Sequence, residues 1–248
     1  MNETGKQGIL GHLRDLRNRL LWSMIAVAVT TAVSFTFADQ LIEVLKQPAG
    51  DVHFIFIEIT EAFSLYMRVC LMAGIFIAMP FIMYNLLMFV MPALKSNEKK
   101  VVLLVLPWVL IMFYGGIYFG FRFLIPPALG FLLNFGSNVA EMQLRLSNYI
   151  NFVTRLLLVI GLIFELPVVT TFLARIGVIS SKWLANKRKF WIILAFLISA
   201  VITPTPDAIN QTIVAATLVV LYEIGIWLAL LVEKRKARVS ARESSWIG

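Results

Sequence analysis

VVLLVLPWVLIMFYGGIYFGFRFLI, Val101 to Ile125, runs for twenty-five residues with one charge, Arg122. About 20 apolar residues rising 1.5 Å each cross roughly 30 Å of hydrocarbon, so this stretch is long enough to be a membrane helix. Similar runs lie on both sides of it. LLWSMIAVAVTTAVSFTFA spans Leu20 to Ala38, a second run goes from Phe63 to Val90 around Pro80, and a fourth from Ile150 to Ala174. FWIILAFLISAVI, Phe190 to Ile202, is short, and a sixth run covers Ile209 to Leu231. The whole chain of 248 residues agrees: 60% is hydrophobic, only 15% is charged, and mean hydropathy is +0.85. A soluble domain carries about 25% charged residues. Disorder, collagen, a disulfide scaffold and an ordinary cytosolic enzyme are excluded. The expected fold is an all-α polytopic membrane protein with six transmembrane helices, the fifth and sixth short.

The whole of 1–248 reads as a single membrane domain. Residues 1–19 form a polar leading segment, 20–231 the six-helix bundle, and 232–248 a basic tail. The polar start is too long and too charged for a cleaved signal, so the first helix is expected to be retained. The longest connections run from Asp39 to Ala62 and from Pro126 to Tyr149, and no repeated block relates the two halves. The net charge of +8 is explained by topology. Seventeen lysines and arginines fall in the N-terminus, the second-to-third connection, the fourth-to-fifth connection and the tail, whereas Lys46, Arg122 and Arg145 fall opposite. Positive charge marks the cytoplasmic side, so both termini are expected there, and no nucleic-acid partner is needed.

Catalytic equipment is missing from the sequence. His12 and His53 lie outside the apolar runs, no HExxH or GxxxxGK[ST] occurs, and Cys70 is the only cysteine. No cofactor or metal is expected, and the protein is read as not an enzyme. Gly116 and Gly120 suit close helix packing. Besides Arg122 near the end of the third run, the charged groups within the spans are Arg68, Arg155, Glu165 and Glu223. Arg68 and Arg155 lie near helix ends and can snorkel, and Glu223 reads as structural. Glu165 is near mid-membrane, where a charge is costly. Two residues on, Pro167 has no N–H for the Ile163 carbonyl. This polar spot is either a carboxyl satisfied by a neighbouring helix or a wet surface for a polar ligand. Two cytoplasmic segments place acid among basic residues: HLRDLRNRL, His12 to Leu20, with leucines at amphipathic spacing, and FVMPALKSNEKK, Phe89 to Lys100.

Taken in order, HLRDLRNRLL, Pro48, FVMPALKSNEKK, FELPVV, TPTPDAINQT and LYEIGIW resemble the TatC family of twin-arginine translocase subunits over about Leu10 to Leu231. The resemblance implies a concave, cupped bundle in the cell (inner) membrane with both termini cytoplasmic. It also implies a non-enzymatic receptor for the twin-arginine signal peptides of folded cargo. The receptor would nucleate assembly of the single-span subunits TatA and TatB, as a homo-oligomer within a TatBC-type complex, for export driven by the proton-motive force. By motif position, Asp15, Arg17 and Arg19 match the N-terminal recognition segment. Glu98, with Phe89 nearby, matches the loop that reads the arginine pair. Glu165 matches the membrane-embedded glutamate, and Pro48, Asp207 and Gln211 match the external turns and partner-docking positions. The family more often has glutamate where this chain has Asp15, and the shorter side chain shifts weight to Glu98. The alternative is a proton-coupled secondary transporter of small solutes using Glu165, which leaves the paired cytoplasmic acids unexplained and has no internal symmetry behind it.

Overall fold

A computed structural model describes residues 3–50, 52–93, 96–134, 143–202 and 208–244. The chain is helical almost throughout these: α1 Glu3–Ser34, α2 Ala38–Lys46, α3 Glu61–Val90, α4 Ser96–Phe119, α5 Ile125–Asn134, α6 Leu146–Ile163, α7 Leu166–Ile176, α8 Ser181–Asn186, α9 Arg188–Ile202 and α10 Ala208–Ser244. Two-residue strands, β1 Phe54–Ile55 and β2 Leu144–Arg145, pair with each other. Among the described residues, five helical stretches are long and apolar enough to cross a membrane: Leu13–Ala49, Glu61–Val90, Leu104–Phe131, Leu146–Ile176 and Gln211–Lys236. By the same rise per residue, the fifteen residues of α9 reach only about 22 Å. Large apolar side chains point outward throughout, Ile193 and Trp227 each being 70% exposed. Water would penalise such a surface, and lipid would not.

Several elements outrun their apolar runs. The amphipathic segment at His12 is continuous with the first spanning helix, and α10 continues beyond Leu231 to Ser244. In these extensions lysine, arginine and glutamate are themselves good helix formers. The two long connections carry α2 and α5. Instead of stopping at Ile125, the third span passes through a π-helical turn, Gly120–Leu124, closed by the Ile125 N–H on the Gly120 carbonyl. Pro126 and Pro127 then sit in the first turn of α5, where missing N–H groups cost least.

The described chain divides into two compact units. Unit one holds Met1–Gln47, Ile55–Leu110 and Arg145–Ile150. Its backbone is the α1–α3 pair, joined where Gly74 meets Thr31. A Cβ on Gly74 would lie 2.8 Å from the Thr31 Cα, too close for any side chain. This approach lets the Thr30 hydroxyl donate to the Gly74 carbonyl at 2.8 Å. At one end Glu61, 5% exposed, is ion-paired with Arg145 and accepts from the Ile57 N–H at 3.1 Å, while Arg145 also reaches Glu58 at 3.3 Å. The Tyr149 hydroxyl donates to the Leu45 carbonyl at 2.7 Å, tying α6 to α2.

Unit two holds Pro48–Phe54, Ile111–Leu144 and Asn151–Gly248. Small residues again set the closest approaches. Cβ atoms on Gly116 and Gly161 would fall within 2.8 Å of the Phe164 and Phe113 rings, and one on Gly120 would press Leu157 at 3.2 Å. These contacts confirm the packing role read for Gly116 and Gly120. Helix α10 lies against α7 and α9: Gly225 meets Thr170, and the Trp191 and Tyr222 rings stack at 4.7 Å. Filling the Gly74 contact should separate α1 from α3. Overpacking of this kind costs about 1–3 kcal/mol, so Gly74→Val should lower the melting temperature of detergent-purified protein clearly. An unchanged melting temperature would show that the α1–α3 contact does not stabilise unit one.

Candidate functional site

Asp15 and Arg17 are exposed and Arg19 partly buried on the continuous α1, in the five residues before its apolar run begins at Leu20. Phe89 is partly buried in the last turn of α3. Glu98 lies in the first turn of α4, and its side chain is outside the described residues. All four helical positions before it and Glu98 itself belong to unit one. The break between α3 and α4 has a local cause: Pro92 cannot donate in the short 3₁₀ turn Met91–Ala93 that ends α3.

Glu165 lies at a true break in the fourth span. Helix α6 stops at Ile163, Phe164 and Glu165 form a turn, and α7 starts at Leu166 with Pro167 in its first turn. The proline produces this break, since a helix through it would lose a bond and clash with the preceding turn. The turn is closed by the Glu165 N–H on the Leu162 carbonyl at 3.1 Å, and α7 begins with the Val169 N–H on the Glu165 carbonyl at 2.9 Å. The Glu165 side chain does not cap α7. It is 7% exposed, and neither carboxyl oxygen has a hydrogen-bond partner. A buried carboxyl group without a partner costs free energy that only a donor or water can recover.

Several other polar side chains described in unit two have partners. Arg155, read as a snorkelling residue, has a specific partner: its Nη2 donates to the Val201 carbonyl at 2.8 Å. Val201 lies in the last turn of α9, whose carbonyls lack helical donors, so Arg155 caps a short helix from its neighbour. Gln211 donates from Nε2 to the Phe196 carbonyl at 3.2 Å, bracing the start of α10 against α9. Glu223 is structural, held bidentately by Arg188 at 2.6 and 2.8 Å. Pro48 sits in the 3₁₀ turn Gln47–Ala49 after α2. Asp207 lies outside the described residues. Among the described residues, no three histidine, cysteine, aspartate or glutamate side chains are placed to hold a metal.

A charged segment continuous with the first span on α1, an acid in the first turn of α4 and a fourth span interrupted before Pro167 beside a buried glutamate are distinctive features of the chain. The family profile described as Sec-independent protein translocase protein (TatC) matches residues 11–216. The chain belongs to the TatC family. It is 35% identical to the Sec-independent protein translocase protein TatC of Carboxydothermus hydrogenoformans over 227 residues, 91% of this chain and 93% of that one. It is 36% identical to the Aquifex aeolicus protein of the same name over 234 residues, 92% and 97% of the two chains. A crystal structure described as the twin-arginine translocase receptor TatC superposes with a TM-score of 0.81 at 36% identity, covering 90% of this chain and 99% of that one. The chain is thus an integral membrane component of a protein translocase, not a classical enzyme, and its partners are those of the Tat system in general. The solute-transporter alternative has no support from these relatives.

Sequence reasoning found Glu165 and Glu223 because charges are rare in apolar runs. It missed the pairing of Arg155 with Val201 and of Arg145 with Glu61, which join residues 46 and 84 positions apart. Removing an unpartnered buried carboxyl should stabilise the protein, whereas removing a partnered one destabilises it. Glu165→Leu should therefore melt at or above the wild-type temperature while export of a twin-arginine cargo falls, and Glu165→Gln should keep the fold with milder loss. A leucine variant that exports at the wild-type rate would remove Glu165 from the mechanism.

Proposed function

We propose that this chain is the receptor that binds twin-arginine signal peptides of folded proteins and the assembly core for TatA and TatB. Export is then driven by the proton-motive force across the cell membrane. The observation that carries the reading is the near-full-length likeness, in sequence and in structure, to a protein described as the twin-arginine translocase receptor. The chain works as one six-crossing membrane domain with both termini cytoplasmic, α9 supplying the short fifth crossing, and as a homo-oligomer within a TatBC-type complex. The segregation of basic residues supports that orientation. It puts Asp15, Arg17, Arg19, Phe89 and Glu98 on the side from which a signal peptide arrives. Pro48, Asp207 and Gln211 fall on the opposite side, near partner docking.

Recognition follows from charge geometry. Two signal arginines present planar forks that carboxylates match with paired hydrogen bonds. Apart from Glu3 near the start of the chain, Asp15 and Glu98 are the acids in the cytoplasmic segments leading into and between the early helices, among basic residues that would repel a cationic peptide. These acids supply the specific attraction. Glu165, buried at the break in the fourth span, gives the membrane part of the site a polar group that a bound segment or water can satisfy.

A charge-assisted hydrogen bond contributes about 1.5–3 kcal/mol when well formed, and about 1 kcal/mol after screening at a partly exposed site. Glu98→Ala should weaken signal-peptide binding by roughly fivefold, a decade being about 1.4 kcal/mol, and Glu98→Lys should be worse. A double-mutant cycle between Glu98 and each signal arginine checks the contact; strictly additive effects would move recognition elsewhere. The orientation has its own test. With Cys70 replaced, cysteines at Ser96 and at Ser137, the latter outside the described residues, should differ towards an impermeant thiol reagent. In intact cells Ser137→Cys should label and Ser96→Cys should not, and the reverse pattern would invert the topology.

A further inference from the structure

Where α7 hands over to α8, and the C-terminal turns of α10 pass beside them, unit two carries a cavity of about 870 Å³. Small-molecule sites commonly enclose roughly 300–1,000 Å³, and none of the recognition residues above lines this one. Its wall combines apolar and polar groups: Val178 and Trp183, with Ser180, Glu233 and Lys236. Gly177, in the left-handed conformation at φ 83°, ends α7 and turns the chain there. Val178 is left 67% exposed and Trp183 52% exposed at the rim.

The charges on this wall are not equivalent. Glu233 spends both oxygens on Ser181, accepting from its N–H at 2.8 Å and from its hydroxyl at 2.5 Å, so it braces the start of α8. Lys236 makes one long hydrogen bond, 3.4 Å, to the Arg175 carbonyl. An ammonium has three donors, which leaves capacity for a ligand. The surrounding chain is basic. From Arg175 to Lys189 there are five lysines and arginines and no acid, and Lys234 and Arg235 precede Lys236 on α10. Of these, Arg188 is engaged by Glu223, while Arg175, Lys182, Lys234 and Arg235 are exposed.

A turn between two spanning helices lies at the membrane surface, the level that tryptophan favours. Basic pockets at that depth on the cytoplasmic side suit anionic lipid head groups. We propose that this cavity holds the head group of an anionic phospholipid from the cytoplasmic leaflet. The phosphate sits on Lys236 and Ser180, and the acyl chains run past Val178 and Trp183. The inference rests on the orientation proposed above.

The test uses the full chain reconstituted in phosphatidylcholine vesicles that contain the same mole fraction of chain-brominated phosphatidylglycerol or chain-brominated phosphatidylcholine. Trp183→Phe isolates the fluorescence of Trp183 from that of the other tryptophans. One basic group at a membrane surface is worth about 1 kcal/mol towards an anionic lipid, about fivefold in local occupancy. Quenching of Trp183 by the anionic lipid should exceed that by the zwitterionic one by about that factor. Lys236→Gln should bring the ratio close to unity without changing quenching by brominated phosphatidylcholine, and soluble glycerol phosphate should leave the wild-type ratio unchanged. Equal quenching by the two lipids in the wild type would overturn the proposal and leave the orientation standing. Loss of the excess on adding glycerol phosphate would assign the site to a free phosphate, again against the proposal. If neither lipid quenched Trp183, the turn would lie away from the membrane and both readings would fall. The wild-type comparison decides by itself, so a Lys236→Gln variant that failed to fold would not shield the proposal.

Discussion

In hydrocarbon a polar backbone group has no water to fall back on, so each one must find a partner inside the protein. That constraint explains the helical content, and it also governs the places where helices end or break. Helix α9 stops within what would be the apolar slab, and its Val201 carbonyl accepts from Arg155. Serines and threonines inside the spans turn their hydroxyls back onto carbonyls of the preceding turn: Thr30 on Ala26, Ser34 on Thr30, Thr170 on Leu166 and Thr217 on Ile213. Each is a polar side chain made harmless by its own helix. Between helices the same need is met by glycine. Gly74 gives up its side chain so that Thr30 can reach its carbonyl.

Two side chains in the described spans depart from this rule, the Thr31 hydroxyl and, with both of its oxygens, Glu165. Its carboxyl is buried, its oxygens have no partner, and the backbone beside it is broken by Pro167. The chain satisfies Arg155, Glu223, Glu61 and Gln211 with specific contacts but not this residue. Only a donor or water brought to such a group can recover the free energy of its burial.

Charge outside the membrane divides between holding the chain together and facing outward. Arg188 with Glu223, and Glu233 with Ser181, tie α8 and α9 to α10. Lys182, Lys187, Lys189, Lys234, Arg235 and Lys236 stay exposed. A surface of that sign attracts anionic groups and repels cationic ones. Electrostatic steering of this kind fixes where a peptide can settle more than how tightly it is held.

By itself, the sequence determined the membrane class, the spanning runs, the distribution of basic residues and the family. Those depend on composition and on residues close together in the chain, and the transfer of apolar side chains into lipid depends on little else. Glu165 and Glu223 were legible for the same reason, as charges interrupting apolar runs. Only the tertiary structure decided what satisfies each polar group. Arg155 looked like a helix-end residue and proved to be a cap for α9. Arg145 looked like a loop charge and proved to be the partner of a buried Glu61. The continuation of α1 and α10 through polar sequence, and of the third span through Pro126, also escaped the hydropathy reading, because hydropathy reports burial in lipid and says nothing about helices that leave it. Whether a polar residue costs or contributes depends on a partner that can lie 84 positions away, and chain folding, not local pattern, brings that partner within reach.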